Sequence, residues 1–379
     1  MKRMKTIKKH SQTAKRPKTV CRRGAAVVLA AAAGAALLAG CGNGTGTDGG
    51  AAAPLASESS TQPGGSETQT EQLASATPKV AVPDFTKGFE PLTHGDASQI
   101  TQTVVYGSGG AYDDTDFSVP DGYASERDDV TYGEYITGVT YFSQTAGMEK
   151  TFNIVLPAGY DEDVSYPVLY LLHGYNGDPN EWNAARVVCG NLQASGQMPS
   201  CIIVMPDLWT SQESKDGASF MDWISAFSAF PQDLTEDIMP YITSHYSVAT
   251  GKENTAILGL SMGGEQALVT AFENPGVFGY VGALAPMTGA IDTGGASRLV
   301  TSGLKELNME DPDDIPYYIM QNYGTEEPWD KEATDAYRES MTENGIPNAF
   351  YILAGTGHDG NTWVPGLYNF AGRIFRYGR

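Results

Sequence analysis

From about Asp96 onward the chain alternates two kinds of apolar pattern. Short, nearly continuous apolar runs at residues 136–142, 152–156, 168–172, 202–205, 255–260, 280–284, 317–320 and 350–353 predict β-strands. Several of these runs hold no charged residue, as expected of strands covered on both faces rather than one. Between them apolar residues recur at helical spacing. Leu234, Ile238, Ile242 and Tyr246 stand four apart, and a second helical stretch runs from residue 264 to 272. Strands alternating with helices predict an α/β fold with a mostly parallel central sheet and helices on both faces. Residues 96–379 are enough for one such domain.

The pattern fails at the N-terminus. Residues 42–95 are rich in Gly, Ser, Thr, Ala, Pro and Gln without a regular apolar period, so they are read as a tether. Before them, a basic stretch ends at Arg22-Arg23, an apolar run spans 24–39, and the run stops at Leu38-Ala39-Gly40-Cys41. That run is short for a membrane span and has the layout of an export signal. The tetrad resembles the lipobox of bacterial lipoproteins. The resemblance implies a signal peptide over 1–41, lipidation of Cys41, and a mature protein held outside the cytoplasm on the cell membrane by its lipid alone. An ordinary secretory signal cut near Ala39 is the alternative. Residues 96–132 form an N-terminal extension whose role the pattern does not define. Asp113, Asp114, Asp116 and Asp121 cluster there without the spacing of a known calcium loop, and a solvated acidic loop is the expectation.

Charge changes the picture by exclusion. The first 41 residues carry 10 of the 24 Lys and Arg and no acid, so beyond them 45 acids face 14 basic residues, a formal charge of −31. Such a surface repels phosphate backbones, which argues against a nucleic-acid partner. Outside the leader, Cys189 and Cys201 are the only cysteines besides Cys41. In an oxidising compartment they can bridge, and they can equally be two small buried residues.

Candidate chemistry centres on Gly259-Leu260-Ser261-Met262-Gly263. A predicted strand precedes it and a predicted helix follows, the setting in which a serine sits exposed on a sharp turn and acts as nucleophile. A serine hydroxyl needs a base. Of five histidines, His10 lies in the leader, His94 in the tether and His245 near a helix end, while His173 directly follows a strand run in a His-Gly pair. His358, in a Gly-rich loop just past the last strand, is the expected general base. A carboxylate after the strand at 317–320 should orient it, with Glu326, Glu327 and Asp330 as candidates. The oxyanion hole is expected from the backbone amides of Met262 and of Tyr175, in the loop after residues 168–172, which leaves His173 a structural part in holding that loop. Trp182, Trp209, Trp329 and Trp363 fall in loops near strand ends, where they can stack on a ligand or anchor the loops.

Residues 166–174 (Tyr166-Pro167 through His173-Gly174), the elbow Gly259 to Gly264, and Gly357-His358-Asp359 followed by 363–370 together resemble the putative-esterase (esterase D-like) family. Within it they look most like carbohydrate esterases of the feruloyl and acetyl-xylan type. The resemblance covers about 134–379. It implies an α/β-hydrolase fold, an acyl-enzyme on Ser261, no metal and no organic cofactor, and as partner an ester substrate, feruloyl or acetyl groups on plant polysaccharide. In the feruloyl esterases the acid often stands three residues past the Gly of a Gly-Thr pair, so Gly324-Thr325 points to Glu327. Those relatives usually carry Asp there, which keeps Asp330 as second choice. A siderophore esterase, an acyltransferase of the same fold and a non-catalytic carbohydrate-binding homologue are the rival readings.

Overall fold

The computed structural model describes residues 88–288, 309, 311–329 and 331–376. Among them, nine strands form one sheet: β1 Ile100–Tyr106, β2 Glu134–Ser143, β3 Met148–Leu156, β4 Val168–Leu172, β5 Ile202–Pro206, β6 Thr255–Leu260, β7 Tyr280–Leu284, β8 Tyr318–Gly324 and β9 Asn348–Leu353. Their order is β1-β9-β8-β7-β6-β4-β5-β3-β2. The strands from β9 across to β5 are parallel, and β1, β3 and β2 add antiparallel edges. This is the mostly parallel α/β sheet expected from the apolar runs.

Strand β4 shows why those runs lack polar residues. Val168, Tyr170 and Leu172 point into one apolar layer with Phe227, Leu234 and Leu268. Leu169 and Leu171 point into the other, with Val188, Leu192, Leu367 and Phe370. Each face is therefore core, and burying each such aliphatic side chain contributes about 1.5–3 kcal/mol. Helices α1 (Ala185–Ala194) and α7 (Gly360–Ala371) cover the second layer. The first is covered by α2 (Phe220–Ser228), α3 (Phe230–Gln232), α4 (Met239–His245), α5 (Met262–Glu273) and α6 (Lys331–Glu343). The four-residue spacing of Leu234, Ile238 and Ile242 outruns the 3.6 residues of an α-turn. A π-helical stretch, Asp233–Ile238, takes up the difference between α3 and α4, and all three side chains are buried.

The domain begins earlier than the composition suggested. Residues 88–95, read as tether, pack on the C-terminal helix. Leu92 is buried so closely on Gly372 that a Cβ there would stand 2.4 Å from its Cδ1. Tyr368 donates to the Thr93 carbonyl at 2.7 Å, and the Gly95 amide donates to Ser118 Oγ at 3.0 Å. One buried leucine in eight residues has no period by which to be recognised. The segment 96–132 is likewise part of the fold. Strand β1 lies antiparallel on β9, and Phe117 stacks on Tyr351 with ring centroids 4.4 Å apart.

The acidic cluster is not simply solvated. The buried guanidinium of Arg373 lies 3.1 Å from Asp114 Oδ1 and donates to the Asp116 carbonyl, and His94 Nε2 is 3.2 Å from Asp114 Oδ1. Asp114 thus answers the Arg373 cation of this same chain, while Asp113 and Asp121 stay exposed. The disulfide reading of Cys189 and Cys201 is also corrected: both are free thiols. Cys189 sits on the sheet-facing side of α1 among Val188 and Leu192, and Cys201 enters the same apolar layer just before β5. They serve there as small buried residues, and burial pushes the Cys189 thiol up to about 12.

Candidate active site

Ser261 occupies the turn from β6 into α5 with φ 52° and ψ −123°, a strained backbone for any residue with a Cβ. Its neighbours force the turn. A Cβ on Gly259 would stand 2.0 Å from the Gly263 carbonyl oxygen, and one on Gly263 would stand 2.4 Å from the carbonyl oxygens of Leu172 and His173. Only glycine lets β6, α5 and the end of β4 approach so closely. The serine is pinned by its own backbone, since its N–H donates to the Leu284 carbonyl at 2.9 Å and its carbonyl accepts from Met287 at 3.0 Å. Met262 opens α5, where first-turn N–H groups have no intrahelical acceptor and the helix presents its positive end.

The loop after β4 comes up beside this elbow. A Cβ on Gly174 would stand 3.2 Å from Ser261 Cβ, which places the start of the Tyr175 loop next to Ser261. The turn closes through Gly177 donating to the Gly174 carbonyl at 3.2 Å, with Asn176 at φ 57°. Asn tolerates that left-handed conformation through its short polar side chain. His173 is fully buried beneath the loop. Its Nε2 accepts from the Leu208 amide at 3.0 Å, so its Nδ1 carries the proton and donates to the Gly174 carbonyl at 2.9 Å. That ring has no lone pair left for base catalysis. Beneath it a buried polar chain continues: Thr210 Oγ1 bonds the Leu208 carbonyl at 3.2 Å, Lys150 Nζ donates to Thr210 Oγ1 at 2.7 Å, and Lys150 pairs with Asp233 at 2.6 Å. Nothing in the spacing of Lys150 and Asp233 advertises this support, because they meet only through the fold.

On the other side of β6 two loops are zipped together. The Thr325 amide donates to the Leu353 carbonyl at 2.8 Å, Glu326 N to the Thr356 carbonyl at 2.8 Å, and Gly355 N to Thr325 Oγ1 at 2.7 Å. The zipper carries Glu327 to His358. Glu327 is buried, with Oε2 2.8 Å from His358 Nδ1 and Oε1 accepting from the Trp329 amide at 3.0 Å. A carboxylate on Nδ1 keeps the proton there and leaves Nε2 with a free lone pair, the form a general base needs. Asp359 caps α7 by accepting from the Asn361 amide at 2.8 Å, which fixes the backbone directly after His358. Two indoles flank the imidazole edge to face: Trp329 at 5.0 Å and 84°, Trp363 at 5.4 Å and 85°.

Ser261, Glu327 and His358 thus follow β6, β8 and β9 and share the C-terminal edge of the parallel sheet, with Met262 and Tyr175 at the elbow's other flank. Among the described residues the Ser261 hydroxyl makes no hydrogen bond, and such bonds commonly tighten only with substrate in place. Glu326 is exposed. Asp330, Cys41, the 1–41 signal and residues 42–87 lie outside the described residues. His245 stacks on Tyr241 at 3.9 Å in the last turn of α4, and His94 pairs with Asp114. Of the four tryptophans considered, Trp182 and Trp209 are buried while Trp329 and Trp363 border His358. A surface groove of about 720 Å³ near Tyr132, Tyr135, Tyr160 and Arg186 lies by the C-terminal end of antiparallel β3, at the opposite edge from this chemistry.

A nucleophile elbow set on a sheet of this order places the protein among the α/β-hydrolases. Within them it belongs to the putative esterase family, whose model matches residues 143–359. The chain is 28% identical over 260 residues to an endo-1,4-β-xylanase/feruloyl esterase of Xylanibacter ruminicola, a match covering 66% of this chain and 32% of that protein. It therefore spans about a third of the length of that curated relative. Among solved structures it is similar to the CE1 ferulic acid esterase of the anaerobic fungus Anaeromyces mucronatus. The enzyme without substrate gives 30% identity over 68% of this chain and 96% of that one, with a TM-score of 0.62. Its complex with ferulic acid gives the same identity and coverage with a TM-score of 0.61.

Proposed function

We propose that this protein is a serine esterase that removes feruloyl or acetyl groups from plant polysaccharide, working outside the cytoplasm from a lipid anchor at Cys41. The observation that carries the catalytic part is the 2.8 Å pairing of His358 with Glu327 at the sheet edge that holds the strained Ser261. His358 Nε2 takes the Ser261 proton as Oγ attacks the ester carbonyl. The oxygen of the tetrahedral intermediate gains negative charge and is met by the amides of Met262 and Tyr175, each worth about 3 kcal/mol in the transition state. Collapse breaks the bond to the alcohol oxygen, which takes the proton from His358 as it leaves. Water, deprotonated by the same imidazole, then frees the acid from Ser261.

The substrate class rests on the feruloyl esterases among the relatives, and the location on the leader and its lipobox-like tetrad. The test is hydrolysis of methyl ferulate and of an activated acetate ester, side by side, by the chain from residue 42 onward, with Ser261→Ala as control. Cleavage of both by the parent alone supports the reading. Acetate turnover alone moves the substrate to acetylated sugars, and turnover that survives in Ser261→Ala removes the mechanism. The anchor is tested separately in cells: Cys41→Ser should abolish incorporation of labelled fatty acid.

A further inference from the structure

The triad accounts for Glu327 and His358 but not for the indole between their loop and solvent. Trp329 exposes 68% of its surface, although an indole usually stabilises a fold by being buried. Its position is nonetheless set. Its backbone N–H is bound to the Glu327 carboxylate, and its ring stands 5.0 Å from the imidazole of His358. The ring is therefore held in register with the base while most of its surface stays open. The other indole against the imidazole, Trp363, is only partly exposed.

Strand order decides which part of a substrate meets that open ring. Ser261 follows β6, the oxyanion loop with Tyr175 follows β4 on one side, and the loops of Trp329 and His358 follow β8 and β9 on the other. The acyl carbonyl oxygen points toward the β4 side. The leaving oxygen must come within hydrogen-bond reach of His358 Nε2, because that nitrogen returns the proton to it. The alcohol half of the ester thus lies on the β8–β9 side of Ser261, the side whose loops carry Trp329 and His358.

We propose that Trp329 is the platform on which the sugar bearing the ester stacks, and so sets the preference for glycosyl over simple alcohol esters. This rests on the esterase reading of the site. A sugar ring offers a face of C–H bonds to the π-surface, and the indole supplies a large apolar area with no charge. An anionic leaving group is disfavoured by the formal charge of −31 carried beyond residue 41.

The test uses two esters with the same acyl group, methyl ferulate and a feruloylated xylo-oligosaccharide, and reads the ratio of their kcat/KM values, in which any general effect on folding or on the His–Glu pair cancels. Trp329→Ala should lower the ratio of glycosyl to methyl ester by about tenfold, chiefly through KM on the glycosyl ester, and Trp329→Tyr should restore most of it. A ratio in Trp329→Ala within about twofold of the parent's overturns the platform, whether or not both rates fall. Failure of the parent to cleave either ester is a different result: it overturns the feruloyl reading of the site, and the esterase reading too if the activated acetate ester is also left intact, and the platform falls with it.

Discussion

Gly324 and Thr356 touch backbone to backbone: a Cβ on Gly324 would stand 2.0 Å from the Thr356 carbonyl oxygen. Gly324 ends β8 and Thr356 follows β9, so this contact sets how closely the acid loop lies on the histidine loop. Gly324→Ala must push the two apart, because the obstacle is main chain rather than a side chain that can rotate. A displacement of about 1 Å in catalytic geometry costs on the order of a hundredfold. The expected outcome is a kcat lowered by about that factor with far-UV circular dichroism unchanged. Parent-like turnover in this variant would mean that the Glu327–His358 pairing does not depend on the zipper.

Glu327 uses both carboxylate oxygens as acceptors, one for His358 Nδ1 and one for the Trp329 amide. A glutamine has only one acceptor oxygen, so its NH2 group must face one of these two donors. Glu327→Gln should therefore misplace either the imidazole proton or the Trp329 loop, and lower kcat by about 10³–10⁴ with little loss of stability. Asp330→Ala should keep activity within about threefold of the parent, since the carboxylate on Nδ1 is already Glu327. Kinetics on methyl ferulate decide it, and the reverse ranking of the two variants transfers the acid role to Asp330.

How far the site was legible depends on whether a residue's part is local. The elbow was, because glycines at 259 and 263 are demanded by contacts within that one motif and its neighbouring strand. The acid was legible only through the Gly324-Thr325 spacing of the resemblance, which pointed to Glu327: Glu326 and Glu327 are the same residue type side by side, and only the turn after Gly324 buries one and exposes the other. The same holds for the tryptophans, whose burial or exposure depends on which layer the loop meets. In the fold, the interior strands β4, β6 and β7 were legible to the residue because both faces are apolar. Strand β1 was not, since Thr101, Gln102 and Thr103 are exposed at the sheet edge and break any apolar pattern. Its role is visible only once β9 is there to pair with it.

The two buried thiols predict a dependence on pH. Burial pushes the Cys189 thiol from 9.0 up to about 12 in the folded chain, and Cys201 is raised in the same way. Between these values the unfolded chain releases protons that the folded chain keeps, so the unfolded state binds fewer protons and stability falls as pH rises. The contribution is complete below about pH 9 and is lost progressively as pH climbs toward 12. Thermal melts should shift downward above pH 9, and the shift should be smaller in Cys189→Ala. At pH 8 an alkylating reagent should modify neither thiol in the folded chain and both after denaturation. Rapid labelling of the folded chain by mass spectrometry would contradict their burial.

Arg373 fastens the N-terminal segment to the last helix. Its guanidinium is fully buried, lies over the Phe117 ring at 4.4 Å, and binds the Asp114 carboxylate, the Asp116 carbonyl and Asn369 Oδ1. Removing one partner of such a buried pair leaves acceptors without donors, and Arg373→Met should cost about 3 kcal/mol. Asp114 is partly exposed and can regain water, so Asp114→Asn should cost less, about 1 kcal/mol. The loss should be structural rather than catalytic, because Arg373 is on the α7 side of the sheet and the triad loops are at the strand ends. Urea unfolding of the two variants gives the ranking, and kcat of the folded Arg373→Met protein on methyl ferulate should stay near the parent's. If instead kcat fell with stability intact, the N-terminal segment would have to be acting on the active site and not merely closing the core.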